Sequence, residues 1–255
     1  MDLVEIDNHT EDIFFRCLHE RPPDPRVLLM RRKWRDIYKP KGHRAKVLID
    51  DNGDVVGMTN YIPIEHSPFE GSDLMAILCI WISRPKRGYG RYVLAEIEND
   101  ARQSGCAGVV VAGNQFNPAA FYEHMGYARV EQSGSKVLLW KSFNDGAKPP
   151  RLLSRKAPQR RSHATPGKVQ VVSITDGWCG DGCEQCVMVR DVINRISAKA
   201  ELTEISSDER TDMRTHGENH DVLYIDGKPF RPDGPPASEA EIERACLDRF
   251  VERKK

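Results

Sequence analysis

The sequence predicts two α/β domains in succession. Two observations lead there. Acidic residues vanish between Asp145 and Asp176 while basic residues and prolines accumulate, which marks a junction. On each side of that junction strand and helix signals alternate with turn residues between them. A chain of 255 residues is long enough for two cores, since domains usually hold about 100 to 150 residues. The expected bounds are 1–145 for the first domain, 146–167 for the linker and 168–255 for the second domain.

In the first domain, Leu3 to Ile6 reads as a strand, Glu11 to His19 as a helix, and Val27 to Tyr38 as a second helix with a basic face of Arg31, Arg32, Lys33 and Arg35. Ala45 to Asp50 and Val55 to Pro63 are β-rich runs joined through Asp51-Asn52-Gly53, where Asn-Gly supplies the positive φ of a tight turn. The continuous apolar run Leu74 to Ile82 predicts a central buried strand. A glycine-containing loop follows, then a helix from about Tyr92 to Gln103, a strand at Gly108 to Ala112, a short helix at Pro118 to His124, and strands near Ala128 and at Val137 to Trp140. The order is β-α-α-β-β-β-α-β-α-β-β.

The acid-free stretch around the linker carries Lys148, Arg151, Arg155, Lys156, Arg160, Arg161 and Lys168 with Pro149, Pro150, Pro158 and Pro166. Without interleaved aromatic residues it reads as a solvated connector rather than a strip that grips RNA. Beyond it come a strand at Val169 to Ile174, a helix at Cys183 to Ala198, a strand at Leu202 to Ile205 and a short helix at Ser207 to Thr215. A hairpin then turns from Asp221–Ile225 through Asp226-Gly227 into Lys228–Phe230. The last helix starts at Ser238, where Glu241 completes a capping box. This order is β-α-β-α-β-β-α.

Two motifs in the first domain carry chemistry. Arg87-Gly88-Tyr89-Gly90-Arg91 lies between the buried strand and a helix, so its backbone N–H groups would converge on an anion. About thirty residues on, Asn117-Pro118-Ala119-Ala120-Phe121-Tyr122-Glu123-His124-Met125-Gly126-Tyr127 reads as an Asn-capped short helix closed by glycine and an aromatic. Together, in this order and spacing, they resemble the acetyl-CoA motifs of GNAT (GCN5-related) N-acetyltransferases.

That resemblance implies a GNAT fold, a mixed and mostly antiparallel sheet with flanking helices. It implies direct transfer of an acetyl group from acetyl-CoA to a small amine-containing acceptor, without an acyl-enzyme. By the same resemblance, the backbone of Ile80 and Ile82 would hold the pantetheine arm, Arg87 to Arg91 the pyrophosphate, and Asn117 the cofactor near its thioester. Tyr122 would face the departing sulfur and protonate it, as attack on a thioester requires a proton for the thiolate and a neutral amine. The chain departs from the family at Pro85, where Arg or Gln is usual, flanked by Arg84 and Lys86. No carboxylate lies within Leu74–Ile82, which leaves Glu65, His66, Asp73 or water as general base. The acceptor pocket would be built from Pro22 to Gly42 and Ile62 to Ser72, segments without a readable code.

Of seven cysteines, Cys17, Cys79, Cys106 and Cys246 stand among apolar neighbours and read as core thiols. The other three lie in Trp178-Cys179-Gly180-Asp181-Gly182-Cys183-Glu184-Gln185-Cys186, after a strand and at the start of a helix, where the helix dipole favours thiolate. Strand, Trp-Cys-Gly turn, helix and later hairpin resemble a thioredoxin-like domain of the YoaP-like kind found after GNAT domains. The spacing departs from Cys-x-x-Cys after the tryptophan, and Asp221 beside His220 stands where thioredoxins carry a cis-proline. Redox-active, soft-metal-binding (Hg(II), arsenite, or zinc with His216, His220 or Cys246 as its fourth ligand) and purely structural thiols all remain open. The iron–sulfur spacing of radical SAM enzymes is similar too, but this order of elements does not build their barrel.

Lys plus Arg equals Asp plus Glu at 38 each, so no sustained field draws the molecule to nucleic acid or an anionic membrane. No apolar run approaches the ~18 residues of a membrane span, and Met1-Asp2-Leu3-Val4-Glu5 is acidic where a signal peptide is basic, so a cytoplasmic protein with a small-molecule partner is expected.

Overall fold

The computed structural model describes residues 1–18, 23–113, 117–153, 165–216, 223–230 and 237–253. The chain divides into two compact units, Met1–Pro23 with Arg32–Ser154, and Asp24–Arg31 with Arg155–Lys255.

The first unit follows the predicted order: β1 (Asp2–Glu5), α1 (Glu11–Phe15), α2 (Pro25–Tyr38), β2 (Arg44–Ile49), β3 (Val55–Pro63), β4 (Phe69–Glu70), β5 (Leu74–Ile82), α3 (Tyr89–Gln103), β6 (Gly108–Gly113), α4 (Ala119–His124), β7 (Ala128–Ser133), β8 (Lys136–Ser142) and β9 (Arg151–Leu152). The dipeptide strands β4 and β9, which pair with each other, are too short to leave a periodic signal in sequence. The other strands form one sheet in the order β1-β2-β3-β5-β6-β8-β7. Within it β5 and β6 are parallel and every other pair is antiparallel. This is a mixed, mostly antiparallel sheet.

Packing follows the apolar pattern of the sequence. Val93, Leu94, Ile97 and Ala101 of α3 recur at helical spacing and are buried against Met75, Ile77 and Ile80 of β5 and Val109 and Val111 of β6. Tyr122 of α4 joins the same core. Arg31, read as part of a basic face, is buried at 2% exposure, belongs with Asp24–Arg31 to the second unit, and donates to the Trp178 carbonyl at 3.3 Å. Arg32 and Arg35 are spent on the acidic first turn of α1: Arg32 meets Glu11 and Asp12, and Arg35 meets Glu11.

The second unit runs β10 (Val169–Thr175), α5 (Gly180–Arg195), β11 (Ala200–Ser206), α6 (Arg210–His216), β12 (Leu223–Ile225), β13 (Lys228–Phe230) and α7 (Glu239–Glu252). Its sheet has the order β11-β10-β12-β13, with β10 and β11 parallel and the rest antiparallel. Val189, Val192 and Ile193 of α5 and Ile242 and Cys246 of α7 bury the apolar residues of β10 and β12. The segment Asp24–Arg31 belongs to this unit: Val27 packs with Cys183 and Val187, and Arg26 forks onto Asp191. No helix among the described residues is long and apolar enough to cross a membrane.

Candidate acetyl-transfer site

The site begins where two parallel strands stop pairing. The β5–β6 ladder runs from Leu74↔Gly108 to Ile77↔Val111 and ends, although β5 continues to Ile82 and β6 to Gly113. The strands therefore part beyond Ile77, as each keeps a different partner: β6 stays on β8 up to Gly113↔Val137, and β5 stays on β3 up to Ile82↔Gly57. On the β3 side the register slips between Asn60↔Cys79 and Tyr61↔Ile77, which leaves Leu78 as the extra residue of a bulge. A bulge turns the strand locally and aids the divergence. Ile80 and Ile82 lie in the stretch of β5 past the last β6 partner.

At the far end of that stretch stands the N-terminus of α3. The helix starts earlier than its apolar pattern suggests, at Tyr89, so Tyr89, Gly90 and Arg91 form its first turn instead of a loop. Gly88 is the N-cap with φ 81°, a left-handed conformation that favours glycine. The N–H groups of Tyr89, Gly90 and Arg91 precede the first intrahelical bond, from Tyr92 N–H to the Gly88 carbonyl, and the first turn contains no acidic residue. With exposed Arg87 and Arg91 beside them, these donors suit an anion. Arg84, one of the two cations flanking Pro85, is already engaged: it donates to Asp50 at 3.1 Å and to Asp54 at 3.0 Å on the β2–β3 hairpin.

Gly90 has a second purpose. A Cβ built there would lie 3.2 Å from Cζ of Phe121, so its absence lets α4 pack closely on α3. The neighbour of Phe121 is Tyr122, 1% exposed, which forms edge contacts with Phe121 (5.1 Å) and Tyr127 (5.7 Å). Burial, and after it the nearby Cys79, push the Tyr122 phenol well above the ordinary tyrosine value, so it stays protonated. Its hydroxyl points to Oδ1 of Asn117 at a long 3.4 Å. Asn117 does not cap α4 as expected. Pro118, at φ −60°, occupies the N-cap, and no side-chain cap bond is made.

The candidate bases are not with this group. Glu65 and Asp73 line a separate cavity of about 360 Å³ with Arg44, Tyr61, Asp100 and Cys106, near the start of β5. Ile80 lies seven residue steps along the chain from Asp73, at most roughly 23 Å at ~3.3 Å per step. His66 sits in a 3-10 turn beside the Tyr38 ring, 6.0 Å between centroids. Reading the sequence had missed Thr59 and Asn60 on β3, both buried: Thr59 Oγ1 donates to the Cys79 carbonyl at 2.9 Å, and Asn60 pairs across from Cys79. Only register, which sequence does not display, brings them to the bulge.

At the cysteine turn, burial opposes the dipole's preference for thiolate at Cys183 and Cys186. α5 starts at Gly180 with Cys179 as N-cap, so all three thiols lie in its first two turns. Cys183, fully buried, donates to the Asp176 carbonyl at 3.4 Å, and burial drives its thiol far above the ordinary value. Burial likewise pushes Cys186 up to about 11, with its Sγ 3.0 Å from Glu204 Oε1. Among the described residues no three of His, Cys, Asp and Glu gather closely enough to hold a metal ion, so the soft-metal reading finds no site there. His220, Asp221 and the side chain of His216 lie outside the described residues. Of the four scattered thiols, Cys246 is a core residue, whereas Cys17, Cys79 and Cys106 are partly exposed.

Comparison with known proteins agrees with the first unit. Residues 5–127 match the model of the acetyltransferase (GNAT) family. No curated protein matches the chain. Among solved structures, a ribosomal-protein-alanine N-acetyltransferase from Brucella melitensis is 18% identical with a TM-score of 0.44, over 56% of this chain and 100% of its own. A GNAT-family acetyltransferase from the same organism, in complex with acetyl-CoA, is 14% identical with a TM-score of 0.41, over 58% and 90%. Spermidine N-acetyltransferase from Vibrio cholerae is 12% identical with a TM-score of 0.43, over 55% and 92%. On the family match, residues 5–127 form a domain of the acetyltransferase (GNAT) family.

Proposed function

We propose that the first unit moves the acetyl group of acetyl-CoA to the nitrogen of a small amine, directly and without an acyl-enzyme. The observation that carries this is the parting of β5 and β6 beyond Ile77, with the α3 N-terminus at one end and Tyr122 beside Cys79. Backbone groups of Ile80 and Ile82 would line a pantetheine arm. The first-turn N–H groups of α3, with Arg87, Gly88 and Arg91, would take the pyrophosphate. The donor supplies an activated thioester; as C–N forms and C–S breaks, the sulfur needs a proton, which Tyr122 holds, while the nitrogen gives one to water. Asn117, in contact with the Tyr122 hydroxyl, would set its direction.

The second unit is read as a thioredoxin-like accessory domain. Its β-α-β-α-β-β-α order, its parallel β10–β11 pair beside an antiparallel hairpin, and the helix that opens at Cys179 support this. Calorimetric titration with acetyl-CoA tests the donor site: wild type binds, and the double variant Arg87→Glu/Arg91→Glu loses about tenfold or more, as two charge-assisted contacts would give. Equal affinities would refute the assignment of the α3 N-terminus.

A further inference from the structure

Asn60 is a polar side chain in the wrong place for a structural role. It is 1% exposed, and its amide oxygen has no hydrogen-bond partner. A buried oxygen without a donor is costly and rare, and calls for a physical reason. Its position supplies one. Asn60 pairs with Cys79 at the bulge, one step beyond the pair Tyr61↔Ile77, and Ile77 is the last β5 residue with a partner on β6. Cys79 lies close enough to Tyr122 to act on its phenol. Directly opposed residues of an antiparallel pair share a sheet face, so Asn60 and Cys79 are on one face, while Tyr61 and Tyr122 belong to the core on the other. The unpartnered oxygen thus belongs to the root of the cleft, where β5 and β6 begin to part, on the face across from the phenol.

We propose that Asn60 holds the acceptor nitrogen by accepting one of its N–H bonds, and thereby selects primary amines. This rests on the reading of the cleft as the acetyl-CoA site. A primary amine carries two hydrogens when neutral. One leaves to water as the C–N bond forms, and the other stays on the amide nitrogen of the product, so the contact with Asn60 persists from start to finish. A secondary amine must lose its only hydrogen and the contact with it. An alcohol is in the same position. Holding one N–H also directs the nitrogen lone pair, and a carboxamide does this without adding a negative charge that would keep the amine protonated.

The full-length protein is assayed with acetyl-CoA and with ethylamine and N-methylethylamine as truncated acceptors. Wild type prefers ethylamine. Asn60→Leu, similar in volume, lowers kcat/KM for ethylamine about fivefold, the effect of an ordinary hydrogen bond, and narrows the preference over N-methylethylamine. It keeps acetyl-CoA affinity within about twofold and unfolds at an equal or higher temperature, because an unsatisfied oxygen is gone. Asn60→Ser carries the same comparison if Asn60→Leu does not fold. Wild-type kcat/KM and selectivity in the variant overturn the proposal, as does a wild type that binds acetyl-CoA yet never acetylates ethylamine. Failure of wild type to bind acetyl-CoA defeats the donor-site reading itself, which separates the two failures.

Discussion

Tyr122→Phe removes one oxygen and little else. The phenol is 1% exposed, and its hydrogen bond to Asn117 is 3.4 Å long, beyond the 2.5–3.0 Å range in which O–H···O bonds are strong. Deleting it therefore changes folding stability by less than about 1 kcal/mol, and the ring packing against Phe121 and Tyr127 stays. Acetyl-CoA affinity should hold as well, since the pyrophosphate donors belong to α3. Turnover, in contrast, loses its proton donor for the departing thiolate, which costs about 10²-fold in kcat or more. Release of CoA, followed with a thiol reagent and ethylamine as acceptor, measures kcat, and calorimetry measures affinity in parallel. Because burial raises the phenol, the wild-type kcat stays level up to about pH 10, the ordinary tyrosine value, and does not fall off earlier on the alkaline side. An unchanged kcat in Tyr122→Phe would refute the assignment.

Two further predictions concern electrostatics. Asp100 is held by Lys46, 2.5 Å away, and by the Tyr61 hydroxyl; burial alone would raise its pKa, but these donors bring it below 3.8. A lowered folded value means stability that is full above about pH 4 and is lost as pH falls through the folded pKa, so Asp100→Asn should flatten the fall in Tm below pH 4. Parallel Tm–pH curves for the two proteins would disprove it. With Cys186 pushed up to about 11, roughly one thiol in a thousand is ionised at pH 8, so mass mapping after brief maleimide treatment should find Cys179 labelled well before Cys183 and Cys186. Equal labelling rates would reverse the reading of a buried, inert pair.

The element order was legible because apolar runs and turn glycines are local signals. Leu74–Ile82 could only be a buried strand, and Asp226-Gly227 turns between β12 and β13 as read. The starts of two long helices lie ahead of their apolar patterns. α3 and α5 begin three residues ahead of their expected positions, since a first turn need not carry the apolar stripe, and Gly180 and Gly182 have poor helix propensity that packing overrides. At Cys183 and Cys186 the size of two opposing effects decides the matter. A helix dipole is worth about 0.3–1 kcal/mol, less than one pKa unit, whereas burial moves a thiol by several. Asn60 and Thr59 were invisible for a different reason: they matter through a register slip between two strands, and pairing across a sheet leaves no trace in either strand's own sequence.

The contact between Gly90 and Phe121 also sets a length. One absent methyl group joins the helix that would grip the pyrophosphate to the helix that carries Tyr122, so the span between them is fixed by backbone packing and not by adjustable side chains. In the proposed site that span would act as a ruler for the donor. A thioester whose arm is shorter than pantetheine would leave its sulfur out of the phenol's reach, whereas variation in the acyl group beyond the sulfur would not be measured at all. Discrimination among acyl groups would then fall to residues around the bulge at Leu78, away from the helix that would grip the pyrophosphate.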